Sequence, residues 1–255
     1  MKLATWNVNS LKVRLPQVLE WLAARSPDVL CLQETKLEDA NFPAGEILAA
    51  GYQAQYAGQK TYNGVAILCR GAPESVSVGI PSFDDPQKRL LAATVEGVRA
   101  ICVYVPNGES VESDKYRYKL DWLWRLTAWL KEELARYPRL ALLGDFNIAP
   151  EERDVHDPKV WEGKVLFSEP ERAAFRDLVQ LGLTDSFRLF SQADKSFSWW
   201  DYRMNGFKRN LGLRIDHILL SAELAKLCKS CEIDRAMRAL ERPSDHAPVI
   251  AEVAL

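Results

Sequence analysis

The run RLALLGD, residues 139–145, sets four apolar residues side by side and then stops on a glycine and an aspartate. A strand with one wet face alternates apolar and polar residues, so an unbroken apolar run predicts a strand covered on both sides. The same signature recurs in LATWNV (3–8), DVLCLQ (28–33), GVAILCR (64–70), LLAATV (90–95) and RAICVYV (99–105). Strands of this kind require layers on both faces of their sheets. Further strands are expected at ESVSVGI (74–80), RIDHILL (214–220), CEIDRA (231–236) and VIAEVA (249–254). Helical spacing predicts helices over LPQVLEWLAAR (15–25), with Pro16 near its start, and over 169–181 behind Ser168. The longest helix is expected over 116–137, with Leu120, Leu123, Trp124, Leu130 and Leu134 on or near one face. Strands occur both in βα order and in hairpin-like succession, which predicts mixed sheets packed on one another with helices outside, as a single domain over 1–255. A doubly wound dinucleotide fold is the rival, but no G-x-G-x-x-G follows the first strand.

With 47% of its 255 residues hydrophobic the chain can bury a core, and a 27% share of charged residues is that of an ordinary globular protein rather than a disordered one. A net charge of −2 does not advertise nucleic acid, so any such binding must come from a local basic surface. No charged-then-apolar leader opens the sequence and no apolar run is long enough to span a bilayer, which gives the expectation of a soluble, cytoplasmic protein with no membrane partner. Five cysteines cannot all pair, and Cys31, Cys69 and Cys102 lie inside apolar runs, so a reducing compartment is expected. Cys228 and Cys231 have the spacing of a zinc knuckle or redox pair, but no second pair completes a tetrahedral site.

Polar residues gather where the strands end. Asn7 and Asn9 close the first, Glu34 follows the second, and Asp145 and Asn147 follow RLALLG; on extended chain each i, i+2 pair would face the same way. Tyr104 lies at the end of RAICVYV and Asn107 just beyond it, and Asp216 stands between Ile215 and Ile218, where a carboxylate needs a partner or a metal. Asp245 and His246 sit between Pro243 and Pro248, two residues that stiffen a loop ahead of the last strand. Each of these alone reads as an ordinary turn. Together, at one edge of stacked sheets, they would make a site of four carboxylates, one imidazole and no thiolate, which selects a hard cation such as Mg²⁺ or Mn²⁺ over zinc. His217, next to Asp216, points to the opposite face of an extended segment and is read as structural; His156 lies in a polar loop and has no assigned role.

The ordered set WNVNS (6–10), LQETK (32–36), NGVAIL (63–68), YVPNG (104–108), GDFNIAP (144–150), GLRIDHIL (212–219) and SDHAP (244–248) resembles the exonuclease III family of apurinic/apyrimidinic endonucleases, within the endonuclease/exonuclease/phosphatase superfamily. The likeness spans essentially the whole chain. It implies a four-layered α/β sandwich of two packed mixed sheets flanked by helices, and metal-dependent hydrolysis of DNA phosphodiesters at abasic sites or 3′ ends. It also implies roles. Glu34 would ligate the metal, with Asp245 and Asn9 contributing directly or through water; Asp145 would orient or deprotonate the attacking water, with Asn147 and Asn7 holding the network. His246 would contact the scissile phosphate with Asp216 fixing its tautomer, and Tyr104 would donate to phosphate or stabilise the leaving group.

The expected partner is double-stranded DNA with abasic sites, nicks or blocked 3′ ends, bound by a monomer. Arg203, Lys208, Arg209 and Arg214 stand against the single acid Asp201, interleaved with Tyr202 and Phe207, and Lys115, Arg117 and Lys119 form a second basic patch. Asn107 is assigned to DNA as well. The resemblance places a damaged-sugar pocket at Trp199, Leu213 and Ile215. Many members of the family carry a small residue before Phe-Thr-Pro beside that pocket; this chain has Leu166-Phe167-Ser168-Glu169, so the balance is expected to tilt from internal abasic-site incision toward 3′-end processing (exonuclease, 3′-phosphatase or 3′-phosphodiesterase). A small-molecule or lipid phosphoesterase on the same scaffold is the nearest rival, and a catalytically silent DNA-binding module the next.

Overall fold

A computed structural model describes residues 1–81 and 83–255. Fourteen strands are present among the described residues: β1 (Lys2–Asn7), β2 (Val29–Gln33), β3 (Gln53–Ala57), β4 (Val65–Cys69), β5 (Glu74–Val78), β6 (Leu90–Val95), β7 (Val98–Tyr104), β8 (Leu140–Asp145), β9 (Leu183–Asp185), β10 (Trp199–Trp200), β11 (Gly212–Leu213), β12 (Asp216–Ser221), β13 (Cys228–Ile233) and β14 (Val249–Val253). The helices are α1 (Leu11–Arg25), α2 (Ala44–Ala49), α3 (Asp114–Arg136), α4 (Pro158–Trp161), α5 (Glu169–Gln180) and α6 (Ala222–Leu227). One six-stranded sheet runs β13-β14-β1-β2-β4-β3, the other β5-β6-β7-β8-β12-β9, and β10 with β11 forms a short ribbon beside them. None of the described helices is long and apolar enough to cross a membrane.

The apolar runs are divided among three cores. Ala141 and Leu143 of β8, with Cys102 and Ile218 of the same sheet, face the other sheet and pack in one core with its Leu3, Cys31 and Ala251. Leu140 and Leu142, on the other face of β8, pack under Trp122, Leu126 and Leu130 of α3 and Phe175 of α5. On the outside of the first sheet, Ala4, Trp6, Leu30 and Leu32 receive Val18, Trp21 and Leu22 of α1. The result is a sandwich of four layers, helix, sheet, sheet, helix. At Gly144 the sheet tolerates no side chain, because a Cβ there would stand 1.9 Å from the carbonyl oxygen of Val103 on the parallel neighbour β7.

Three local expectations are corrected. The buried face of α3 is Tyr116, Lys119, Trp122, Leu123, Leu126, Trp129, Leu130 and Glu133, while Trp124 is exposed, because a 3.6-residue period turns position 124 away from 123 and 126. β13 begins at Cys228 and ends at Ile233; beyond it, Asp234 donates its amide to Pro248 and 235–239 winds into a 3-10 turn. The strand β3, QAQYA, carries no run of apolar residues because it is the sheet's edge and stays half-exposed.

Pairing decides where the strand ends go. β1 and β2 are parallel, with Asn7 opposite Gln33, and β7 and β8 are parallel, with Tyr104 opposite Asp145. β12 runs antiparallel to β8, so its first residue, Asp216, lies opposite the last of β8, Asp145. β14 runs antiparallel to β1, so the 243–248 loop that precedes it arrives at the same rim.

Candidate active site

At that rim the chain bends sharply rather than staying extended. Asn9, Glu34, Lys36 and Asn147 all have positive φ, between 43° and 54°, a conformation L-residues hold only with outside support. Each i, i+2 pair is therefore an Asx turn and not the extended pair expected: the Asn9 amide donates to Asn7 Oδ1 and the Asn147 amide to Asp145 Oδ1, both at 2.9 Å. Asn7 links the two sheets at the rim: its Nδ2 donates to Glu34 Oε1 and to Asp145 Oδ2, each at 2.8 Å.

His246 completes the cluster. Its Nδ1 lies 2.9 Å from Asp216 Oδ2, and because a carboxylate can only accept, that nitrogen carries the proton. Its Nε2 lies 3.8 Å from Asp145 Oδ2, leaving a gap that faces the rim. The loop is held less by its prolines than by hydrogen bonds: Ser244 Oγ donates to the Asn7 carbonyl at 2.7 Å, Trp6 Nε1 to the His246 carbonyl, the Ala247 amide to Ser198 and the Trp200 amide to Asp245. Burial opposes a charge on His246, but Asp216 and then Asp145 outweigh it and raise the imidazole to about 10. Burial pushes Asp145 up to about 7; His246 pulls it back, and Asp216 and Glu34 push it further. Burial raises the Tyr104 phenol well above its ordinary value, with Glu34 and Asp145 adding to the effect, so it remains a donor.

The donor chemistry fits a divalent cation. Glu34, Asp145 and His246 offer ligand atoms within 4.8 Å of one another. A cationic group already stands among the oxygens: Lys36 Nζ donates to Asn9 Oδ1 at 2.5 Å and pairs with Glu34 Oε2 at 2.9 Å. Asp245 stands one step behind, its Oδ1 accepting from Asn9 Nδ2 at 2.9 Å and its Oδ2 from Trp199 Nε1 at 3.0 Å. A protonated His246 has no lone pair to give, so the oxygen set Glu34, Asn9 and Asp145 is the one suited to a hard cation.

Of the remaining residues, Asn147 Nδ2 donates to the Val105 carbonyl at 2.9 Å and its Oδ1 accepts from Asn107 Nδ2 at 3.2 Å, so Asn107 joins the rim. Leu213 and Ile215 are buried in a small apolar cluster with Val155, Leu166 and Phe167, against which Trp199 packs. Arg203, Lys208 and Arg209 are exposed on the 201–210 segment, although Arg203 is tied to Asp201. Arg214 is not on that surface: it is 1% exposed and pairs with Asp154 and Asp185. Lys119, placed by sequence in a basic patch, is fully buried, while Lys115 and Arg117 are exposed and paired with Glu109 and Asp114. His217 is buried between Arg214 and the Ile148 carbonyl, and His156 contacts the Gly212 carbonyl. All five cysteines are free thiols.

Sequence reasoning missed Lys36 and Arg89. Lys36 stood in the quoted LQETK motif, two residues beyond Glu34. The Arg89 guanidinium lies 4.6 Å over the Tyr104 ring and lines a groove of about 620 Å³ with Tyr62, Asn63, Gln87, Asn107 and Lys115, next to the rim. A larger cavity, about 760 Å³ between α5 and 183–189, contains none of the rim side chains.

Residues 4–246 match the model of the endonuclease/exonuclease/phosphatase family. The chain is 38% identical to exodeoxyribonuclease III of Haemophilus influenzae, with 99% of each chain covered. Among solved structures it is similar to a Neisseria 3′ phosphatase bound to a product DNA hairpin, at 51% identity, TM-score 0.98 and full coverage of both chains. An AP endonuclease from Archaeoglobus fulgidus matches with 39% identity and TM-score 0.96, again over the full length of both.

Proposed function

The chain belongs to the endonuclease/exonuclease/phosphatase family, and we propose that its rim is the active centre of a DNA repair nuclease whose main work is at 3′ ends. The observation that carries this reading is the convergence of Asn7, Glu34, Asp145, Asp216 and His246, from three separate strands and two loops, on a single rim.

The family is metal-dependent; we assign Mg²⁺ or Mn²⁺ to Glu34 with Asn9 and Asp145 at hand and Asp245 supporting Asn9. When bound, the ion supplies charge neutralisation on the phosphate oxygens and offsets the mutual repulsion of the acids. Asp145, held by Asn7 and the Asn147 amide and raised to about 7, is poised to take a proton from the attacking water near neutral pH. His246, kept cationic by Asp216, presents Nε2–H to a non-bridging phosphate oxygen as a fixed positive donor. Tyr104 donates its phenol proton to phosphate or leaving group, and Asn107 and Asn147 hold the surrounding network. Lys208, Arg209 and Arg203 would meet backbone phosphates, giving salt-dependent affinity to a protein of net charge −2. The rim side chains draw on the first and last strands of the sheets, which supports one domain working as a unit.

A substrate panel with and without divalent ions tests this. Turnover of nicked 3′-phosphate duplex, lost on chelation and restored by Mg²⁺ or Mn²⁺, is expected; turnover of lipid or inositol phosphates with indifference to duplex DNA would defeat the reading.

One observation favours restricted incision at internal abasic sites. Leu166, held at φ 78°, is 6% exposed and packs with Leu213 and Ile215, two of the residues that the resemblance assigns to the damaged-sugar pocket. Leu166→Gly relieves the backbone and removes that side chain. Internal abasic incision should rise relative to 3′-phosphate removal; an unchanged ratio would show that Leu166 does not set it.

A further inference from the structure

Lys119 and Glu171 are both completely buried, and no step described above uses either. The Lys119 ammonium donates to Glu171 Oε1, to the Asn147 carbonyl at 2.7 Å and to the Asn107 carbonyl at 3.1 Å, which commits all three of its protons. Glu171 in turn accepts from the Leu166 amide and the Ser168 amide, both at 3.0 Å, and from Ser168 Oγ at 2.5 Å. Tyr116 OH meets Ser168 Oγ at 2.6 Å from one turn before Lys119 on α3. Two side chains thus join three loops to one helix: the loop after β7 that carries Asn107, the loop after β8 that carries Asn147, and the segment before α5 that carries Leu166.

Stability alone is a poor reason to bury two such charges, because an apolar pair of similar volume is often as stable. What an apolar pair cannot do is hold carbonyls and amides at fixed places. Leu166 needs that support, since its backbone sits in the left-handed region. So does the Asn107–Asn147 contact, whose two backbones are held by the same ammonium.

We propose that Lys119 and Glu171 are a positioning pair that sets the segment at Leu166 in register with Asn107 and Asn147, so that turnover and the choice between substrates both depend on it. The proposal rests on the reading of the rim as the active centre. Neither residue reaches the reacting atoms; both act through the backbone of residues that line the site.

Steady-state kinetics of Lys119→Met, Glu171→Gln and Lys119→Arg, on a nicked 3′-phosphate duplex and on an internal abasic duplex, test it, with thermal melting to establish that each variant is folded. A displacement of a fraction of an ångström at Asn147 should lower kcat on the 3′-phosphate by roughly 10–100-fold in Lys119→Met and Glu171→Gln, with KM moving by less than about twofold. Lys119→Arg, which keeps the charge and the donors, should recover most of that loss. In Glu171→Gln the ratio of abasic incision to 3′-phosphate removal should rise, and the Leu166 and Ser168 amides should exchange hydrogen faster; simple destabilisation would lower both activities in proportion. If Lys119→Met does not fold, Glu171→Gln, of the same shape without the charge, carries the test alone. The proposal is overturned if folded variants keep kcat within about twofold of the parent and an unchanged substrate ratio, or if arginine rescues nothing. Asp145→Asn separates the two failures: if it stays active, the reading of the rim is wrong; if it is inactive while the pair variants behave as the parent, only the positioning role falls.

Discussion

His217 and His246 lie on opposite sides of β12, and both are buried, yet they carry opposite protonation. His246 faces Asp216 and Asp145 and is raised to about 10. His217, the residue after Asp216, is lowered to about 4 by burial and then by the Arg214 guanidinium, which lies 3.0 Å from its Nδ1. Burial acts in the same direction on both, so the sign of the nearest charge decides. One face of the strand makes a fixed cation for the rim. The other makes a neutral link, donating from Nε2 to the Ile148 carbonyl between the rings of Phe146 and Phe175.

The strongest way to break this contrast is on the rim side. Asp145→Asn should lower kcat by about 10⁴-fold, the upper range for removal of a general base, while leaving DNA affinity largely intact in a binding assay. The same change should raise stability at pH 8. The folded-state value of Asp145, about 7, lies above the ordinary 3.8, so the folded protein binds that proton more tightly and loses stability as pH climbs between the two. Removing the carboxylate removes the loss; Tm at pH 8 should rise by roughly 2–4 °C, and the difference should vanish below about pH 4.

On the other side, Arg214→Met leaves Asp185 without the guanidinium that pairs with it and Asp154 with Arg188 alone. Denaturant unfolding should show a loss of roughly 3–5 kcal/mol, the size expected for breaking a buried pair from one end. The His217 ring, freed of its neighbour's charge, should titrate closer to its ordinary value by NMR. If Arg214→Met instead shifted His246 and left His217 alone, the insulation of the two faces would be disproved.

Asp216→Asn makes the smallest of the three changes. It takes away the charge that keeps His246 cationic, so kcat should fall by about 10²-fold, as for loss of one transition-state donor. Its alkaline limb should also move down from near 10, because the imidazole then loses its proton earlier. A pH–rate profile with an unmoved alkaline limb would show that His246 does not act as a cation.

The sequence made the layers legible for a physical reason. β2 and β8 are covered on both faces, so their apolar runs are unbroken, whereas the edge strand β3 is half-wet and its QAQYA reads as nothing in particular. The grouping of Asn7, Glu34, Asp145, Asp216 and His246 was readable because each stands where a strand starts or stops. The way they are aimed was not, since the turns at Asn9 and Asn147 arise from hydrogen bonds closed by the preceding side chain. Lys119 misled for a related reason. As one basic residue among Lys115 and Arg117 it resembles a surface charge, but its spacing from Tyr116, Leu123 and Leu126 sets it on the inward face of α3.

The pairing of β14 with β1 has a bearing on synthesis. The Met1 ammonium donates to Val253, and Ser244, beside Asp245 and His246, grips the Asn7 carbonyl. A growing polypeptide that has already folded its first two hundred residues still lacks Asp245, His246 and the strand that pairs with β1. On the proposed reading of the rim, hydrolytic competence is expected late in translation, when β14 slots in beside β1, and a ribosome-stalled fragment ending before Ser244 is expected to leave the nucleic acid around it uncut.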